Sequence, residues 1–261
     1  MTTSRLYLEN SGEIARLVIN RPEKRNALSL AMWREVPALM NQIAATEAVK
    51  VLILQGVDET AFAAGADIDE IAEHADSEER VWVFMDAVHA AETAIANCEK
   101  PVIAMIRGDC IGGGVELALA CDLRFAAAGS RFGIPPAKLG VVYSLASTRR
   151  LVELVGPGLA RDYLFSGRIF DLAEARAAGL VDREYGAGEI VAATHAYAEM
   201  LCRRSQCSIR AAKQIVRTAL SGGQIEDAAI RRLRAEAFLG PDLQEGVRAI
   251  RERRPPAFPW S

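Results

Sequence analysis

In the first half of the chain, short β-rich runs alternate with longer helical patterns, and this alternation limits the fold more than any other feature. Ile14–Asn20, Lys50–Gln55, Val102–Ile106 and Leu123–Ala126 are strand-like, being short runs rich in β-forming residues. Leu28–Thr46 and Glu79–Asn97 carry helical periodicity, the second with Val81, Phe84, Val88, Ala91 and Ile95 on one stripe. Pro37 lies inside the first and predicts a kink there. Such alternation gives sheets covered by helices. After about residue 144 the strand signals fade. Leu145–Val155, Ala173–Ala178, Gly188–Arg203, Ser208–Leu220, Ile225–Leu239 and Asp242–Arg253 are all helical in pattern. Asp171-x-x-Glu174 resembles a capping box, Gly179 is a stop, and Pro241 suits a helix start. An α/β core over 1–200 is therefore expected, followed by a helical unit over 201–261.

Composition narrows the function classes. Lys and Arg number 31 against 34 Asp and Glu, a net charge of −3, so no basic field draws the chain to nucleic acid or an anionic membrane. With 51% hydrophobic and 25% charged residues, the chain is ordinary for a packed globular protein. The apolar runs Val102–Ile106 and Val115–Cys121 fall well short of the ~20 residues a membrane helix needs. The stretch from Met1 to Glu9 lacks the apolar core of a secretory leader. Cys98, Cys110, Cys121, Cys202 and Cys207 are scattered and form no C-x-x-C pair, which suits free thiols in a reducing compartment, the cytoplasm. His74, His89 and His195 have no metal-ligand spacing, so no metal is expected. The arginines from Arg248 to Arg254 read as a solvated helix end.

Two segments hold the candidate chemistry. In Ala61-Phe-Ala-Ala-Gly65-Ala66-Asp67-Ile68, small residues admit close approach to the backbone, and Gly65 permits a turn that aims an N–H outward. A tight strand-to-helix turn without a ligand explains that segment equally well. The second runs from Ile106 to Asp122 through Gly112-Gly-Gly114-x-Glu116, joining a strand to a helix. There the N–H groups of Gly113 and Gly114 sit at a helix N-terminus, which favours negative charge. No Gly-Lys-Ser/Thr follows, and Leu117 stands where a dinucleotide fingerprint needs its third glycine, so both phosphate motifs fail. Glu116 is then either a solvated first-turn carboxylate or, since Val115–Ala120 is otherwise apolar, a partly buried functional one. Cys110 just before the glycines has no histidine nearby in sequence and reads as a buried thiol.

These segments resemble the enoyl-CoA hydratase/isomerase, or crotonase, superfamily. The shared motifs are Arg21-Pro22 with Asn26-Ala27-Leu28, Phe62-Ala-Ala-Gly-Ala-Asp67-Ile68, Gly108-x-x-x-Gly112-Gly-Gly114-x-Glu116, Phe132-Gly-x-Pro135 and Ala173-x-x-Ala-x-x-x-Gly179-Leu180-Val181. They occur in family order along nearly the whole chain. The resemblance implies an α/β, crotonase-like spiral of ββα units with a C-terminal helical trimerisation subdomain. Homotrimers, or dimers of trimers, are the assemblies it implies. It implies a coenzyme A thioester as substrate, with coenzyme A as part of that substrate and no bound cofactor. By position, the N–H groups of Ala66 and Gly113 form the oxyanion hole and Glu116 is the acid/base. Ala64, Asp67 and Ile68 contact the adenine end. The loop Lys24–Leu28, with Arg25 and Ala27, lines the pantetheine and phosphate side.

One position departs from the pattern. Family hydratases hold the attacking water with a second glutamate directly after Phe-Gly-x-Pro, and here that residue is Pro136. Proline has no titratable group, so two-carboxylate hydration is in doubt. Tyr143, in Leu139-Gly-Val-Val-Tyr143, is similar to a tyrosine of superfamily decarboxylases that act on malonyl-type thioesters. The other reading of Tyr143 is a pocket-wall residue whose hydroxyl meets a backbone carbonyl. Three functions follow: hydration or isomerisation with Glu116 alone, decarboxylation assisted by Tyr143, or a non-catalytic module that keeps the fold and binds a coenzyme or a partner.

Overall fold

The computed structural model describes residues 5–259. A hairpin opens it, with β1 (Leu6–Ser11) antiparallel to β2 (Ile14–Ile19) across a turn at Gly12. From there the chain repeats one unit: a strand for a large sheet, a short strand for a second sheet, then helix. The first unit is β3 (Val51–Gly56) and β4 (Ala61–Ala63), followed by α2 (Ile68–His74) and α3 (Glu78–Ala96). The next is β5 (Val102–Ile106), β6 (Asp109–Ile111) and α4 (Gly113–Ala120). The last is β7 (Leu123–Ala127), β8 (Arg131–Gly133), α5 (Pro136–Leu139) and α6 (Leu145–Ser166). With β9 (Ile169–Asp171), α7 (Leu172–Ala177) and β10 (Arg183–Tyr185), the sheets have orders β1-β2-β3-β5-β7-β10 and β4-β6-β8-β9. Each unit thus advances both sheets by one strand, which is the expected ββα spiral. Within the large sheet only β1–β2 is antiparallel, and within the small one only β8–β9.

Period-two alternation divides the large sheet between two cores. Leu52 and Leu54 face the main core, with Met32, Trp33, Val36 and Met40 of α1 (Leu30–Ala45) and Phe84, Ala91 and Ile95 of α3. Val51 and Ile53 face the other side, against Ile190, Ala198 and Cys202 of α8 (Ile190–Cys202). Covered on both faces, β3 and β5 are buried throughout, and their apolar runs Val51–Leu54 and Val102–Ile106 follow from that.

Three expectations change. Although Pro37 deprives α1 of one hydrogen bond, the helix runs unbroken from Leu30 to Ala45, because the buried face of Met32, Trp33, Val36, Met40 and Ile43 continues across it. The helix starting at Leu145 ends near Val155 as expected, at Gly156 with φ of 76°, but Pro157 then starts a second helical segment to Ser166 that the periodicity had not shown. Strands do occur after residue 144: β9 and β10 are three residues each, too short for periodicity to reveal.

Beyond α8 come α9 (Gln206–Leu220), α10 (Ala228–Leu239) and α11 (Pro241–Glu252). Lys213 of α9 ties this region to the core, donating to Asp122 Oδ2 at 2.6 Å and to the Lys100 carbonyl at 3.1 Å. Val216, Leu220, Phe238, Leu239 and Ile250 are exposed on these helices. A cavity of about 340 Å3 lies among them, with Phe238, Leu243, Val247, Ile250 and Phe258 in its wall. The arginines after Arg248 are not simply solvated. Arg248, Arg254 and the Ala257 N–H all donate to the buried Glu245 carboxylate, which pins the tail across α11. Among the described residues no helix is long and apolar enough to cross a membrane, and all five cysteines are free thiols.

Candidate active site

Two loops, one from each of the first two spiral units, meet at Gly65 and Gly113. Leu28 and Ala66 form a parallel bridge in which the Leu28 N–H donates to the Gly65 carbonyl (2.7 Å) and the Asp67 N–H to the Leu28 carbonyl (2.9 Å). In that register the N–H of Ala66 points away from its bridge partner. Gly113 opens α4, so its N–H is among the first donors of the helix and has no intrahelical acceptor. The loops press together so tightly that side chains are excluded. A Cβ on Gly65 would lie 2.7 Å from the Gly113 nitrogen, and one on Gly114 would lie 2.1 Å from the Ala63 carbonyl oxygen. Gly65 also has φ of +93°, a conformation that disfavours any other residue. Trp33 underlies the junction, its ring 3.2 Å from where a Cβ of Gly113 would be.

Glu116 stands one turn into α4, a helix buried over its whole length. The residue is 8% exposed, and burial, reinforced by the charge of Glu92, pushes its pKa up to about 8. The Ser147 hydroxyl and the Arg150 cation work in the opposite direction. Glu116 is therefore largely protonated at neutral pH. Tyr143 lies alongside. Its hydroxyl is buried without a hydrogen-bond partner among the described residues and sits 3.7 Å from where a Cβ on Gly112 would be. Burial, then the neighbouring Glu116, raises its pKa far beyond the ordinary phenol value. A wall tyrosine bonded to a backbone carbonyl is thus not what the structure contains.

Sequence reasoning missed Glu92. It lies on α3, is 1% exposed, accepts from Ser147 Oγ at 2.6 Å and pairs with Arg150 Nη1 at 3.3 Å. The signal was present, since Glu92 follows Val88 by four residues and precedes Ile95 by three, which sets a carboxylate on the apolar stripe. Cys110, fully buried, has its thiol pKa raised by burial and is inert packing.

The residues expected near the coenzyme lie in the segments that follow β2 and β4. Arg21 Nη1 forms a buried ion pair with Asp67 at 2.7 Å and donates to the Ala27 carbonyl at 3.1 Å. Asp67 also caps α2, accepting from the Asp69 N–H. The Asp67 carboxylate is thereby committed within the chain. Asn26, in left-handed conformation, holds the loop by accepting from the Arg21 N–H and donating to the Ala61 carbonyl. Ala27 is buried and Ala64 donates its N–H to the Arg25 carbonyl at 3.0 Å. Ile68 is exposed at the start of α2, and the Arg25 guanidinium is 66% exposed, 3.5 Å from Asp109.

The sequence profile of enoyl-CoA hydratase/isomerase proteins matches residues 9–260. The chain belongs to the enoyl-CoA hydratase/isomerase family. Among its relatives, the crotonyl-CoA hydratase of Syntrophomonas wolfei is 32% identical over 262 residues, covering 99% of each chain. The short-chain-enoyl-CoA hydratase of Clostridium acetobutylicum is 30% identical, covering 97% of each. The crystal structure of an enoyl-CoA hydratase/isomerase family protein from Hyphomonas neptunium superposes with a TM-score of 0.95 at 41% identity, covering 99% of this chain and 98% of that one. Within this family frame, Pro136 is the first residue of α5, a place where a missing N–H costs nothing and where no proton can be held.

A carboxyl held protonated by burial costs folding stability once pH rises. Between the ordinary value of 4.5 and about 8 the folded chain retains a proton on Glu116 that the unfolded chain releases, so this residue's contribution to stability declines as pH climbs through that window. Glu116→Gln removes that loss. Thermal melting should show the variant more stable than wild type above pH 8 and little changed near pH 4.5.

Proposed function

We propose that the protein processes an acyl-CoA thioester through an enolate, with the thioester oxygen received by the N–H groups of Ala66 and Gly113 and with Glu116 as the acid/base. The single observation that carries this reading is the meeting of Gly65 with Gly113, which leaves two backbone donors beside a buried carboxyl. Two preorganised donors lower the energy of developing oxyanion charge far more than that of the neutral carbonyl. An enolate is the species that hydration, isomerisation and decarboxylation of thioesters share.

Hydration requires ionised Glu116. The carboxylate takes a proton from water as the oxygen bonds to the β-carbon and the double-bond electrons move to the thioester oxygen. Glu116 then returns that proton to the α-carbon. Decarboxylation of a malonyl-type thioester, such as methylmalonyl-CoA, uses the opposite form. The bond to the departing CO2 breaks, its electrons form the enolate, and protonated Glu116 supplies the α-carbon proton. The unpartnered Tyr143 hydroxyl favours this second reaction, because it offers a donor to a substrate carboxylate. The pH dependence separates them. Turnover by hydration should rise as pH increases through about 8, whereas turnover by decarboxylation should fall across the same range.

Mixing the protein with crotonyl-CoA and methylmalonyl-CoA and following both masses tests the reading. Gain of water or loss of CO2 supports it. If neither thioester reacts although both bind, the non-catalytic module is the better description. The exposed Arg25 would meet the coenzyme phosphates, with Ala27, Ala64, Asp67 and Ile68 around its nucleotide and pantetheine. The apolar faces of α9–α11 suit self-association as a homotrimer or a dimer of trimers, with 201–261 as the assembling unit. A cytoplasmic location fits the five free thiols.

A further inference from the structure

Behind Glu116 lies a second buried carboxylate with its own support. Glu92 reaches inward from α3, and α6 supplies its partners from the first turns of that helix. Ser144 caps α6 by accepting from the Ser147 N–H, and its hydroxyl donates to Ser147 Oγ at 3.0 Å. The fully buried Ser147 hydroxyl in turn donates to Glu92 Oε2 at 2.6 Å. Arg150, one turn on, approaches the same oxygen at 3.3 Å. The other oxygen, Oε1, is buried with no hydrogen-bond partner among the described residues. A purely structural ion pair in so dry a place would be expected to satisfy both oxygens.

We propose that Glu92 is a positioning residue for Glu116: held as the anion by Ser147 and Arg150, it takes the second carboxylate's place in the proton inventory and keeps one shared proton on Glu116. This deepens the functional reading above and rests on it only for the use made of that proton. The opposite assignment is disfavoured, because the Arg150 ion pair and the 2.6 Å Ser147 hydrogen bond fall on Glu92, whereas Glu116, which Ser147 also hydrogen-bonds, feels Arg150 only through space. Burial raises the Glu92 pKa as well, and Ser147, Arg150 and His89 on α3 oppose it by favouring the anion, while Tyr143 and Cys110, the other titratable groups facing the pair, stay neutral. Two such carboxyls titrate as a pair in two steps, the upper one reporting loss of the shared proton.

The infrared carboxyl band of the protein without substrate, followed against pH, reads that step without turnover, and loss of the band in Glu116→Gln assigns it. Glu92→Gln should move the step down by about one pH unit or more, since repulsion between coupled carboxylates is of that order. Arg150→Met should move it up, because the Glu92 charge is then left uncompensated. Opposite shifts require that the charges of both Glu92 and Arg150 are felt at Glu116, which loss of packing alone would not produce. An unmoved step in folded Glu92→Gln overturns the proposal. If that variant does not fold, an unmoved or lowered step in Arg150→Met does so. Opposite shifts in a protein that turns over no acyl-CoA would uphold Glu92's role and refute the enolate reading instead. Active enzyme whose step ignores both substitutions would do the reverse.

Discussion

Glu116→Gln should lower turnover of an acyl-CoA thioester by about 10²–10⁴-fold, the usual contribution of a positioned acid/base. Gln keeps the size and polarity of the side chain but can neither give up nor take a proton. The loss should fall on kcat rather than on thioester binding, because in the proposed reading the loop around Arg25 meets the coenzyme and backbone donors meet the acyl oxygen. The large effect follows from there being no understudy. Pro136 holds no proton, Tyr143 is held neutral by burial, and Glu92 is too enclosed, at 1% exposure, to reach a substrate. Steady-state kinetics with the substrate that wild type accepts would check this, and a variant turning over at near wild-type rate would remove Glu116 from the chemistry.

Gly65→Ala should cost about 10²–10³ in kcat, the usual penalty for loss of one oxyanion donor. The new methyl would lie 2.7 Å from the Gly113 nitrogen and 3.0 Å from the Ile111 carbonyl, both backbone atoms that cannot rotate aside. Relief must come from separating the loops, which moves the Ala66 and Gly113 N–H groups out of register with each other. The φ of +93° adds strain to the same segment. Circular dichroism distinguishes a displaced loop from an unfolded chain, and unchanged kcat would show that this junction does not receive the reacting oxygen.

Much of this could be read before any coordinates. The runs at Ile14, Lys50, Val102 and Leu123 became parallel strands of the large sheet within a residue or two at their ends, because buried strands must be continuously apolar. Glu116 was legible as the one carboxylate in an apolar helix. The second sheet was not, since β4, β6 and β8 are three residues each and owe their existence to neighbours in the spiral. Glu92 was overlooked for a related reason. Whether a carboxylate on an apolar stripe is buried depends on what packs over it, and Ser147 and Arg150 arrive from α6, some 55 residues later in the chain. The orphaned hydroxyl of Tyr143 likewise depends on three-dimensional surroundings.

The most direct test of the enolate account is to run crotonyl-CoA and methylmalonyl-CoA with the protein in heavy water and read the product masses. The account predicts that one of them is converted, with deuterium fixed at the α-carbon of the product, and that Glu116→Gln slows that conversion. Conversion without deuterium at the α-carbon, or wild-type labelling in the variant, would contradict it.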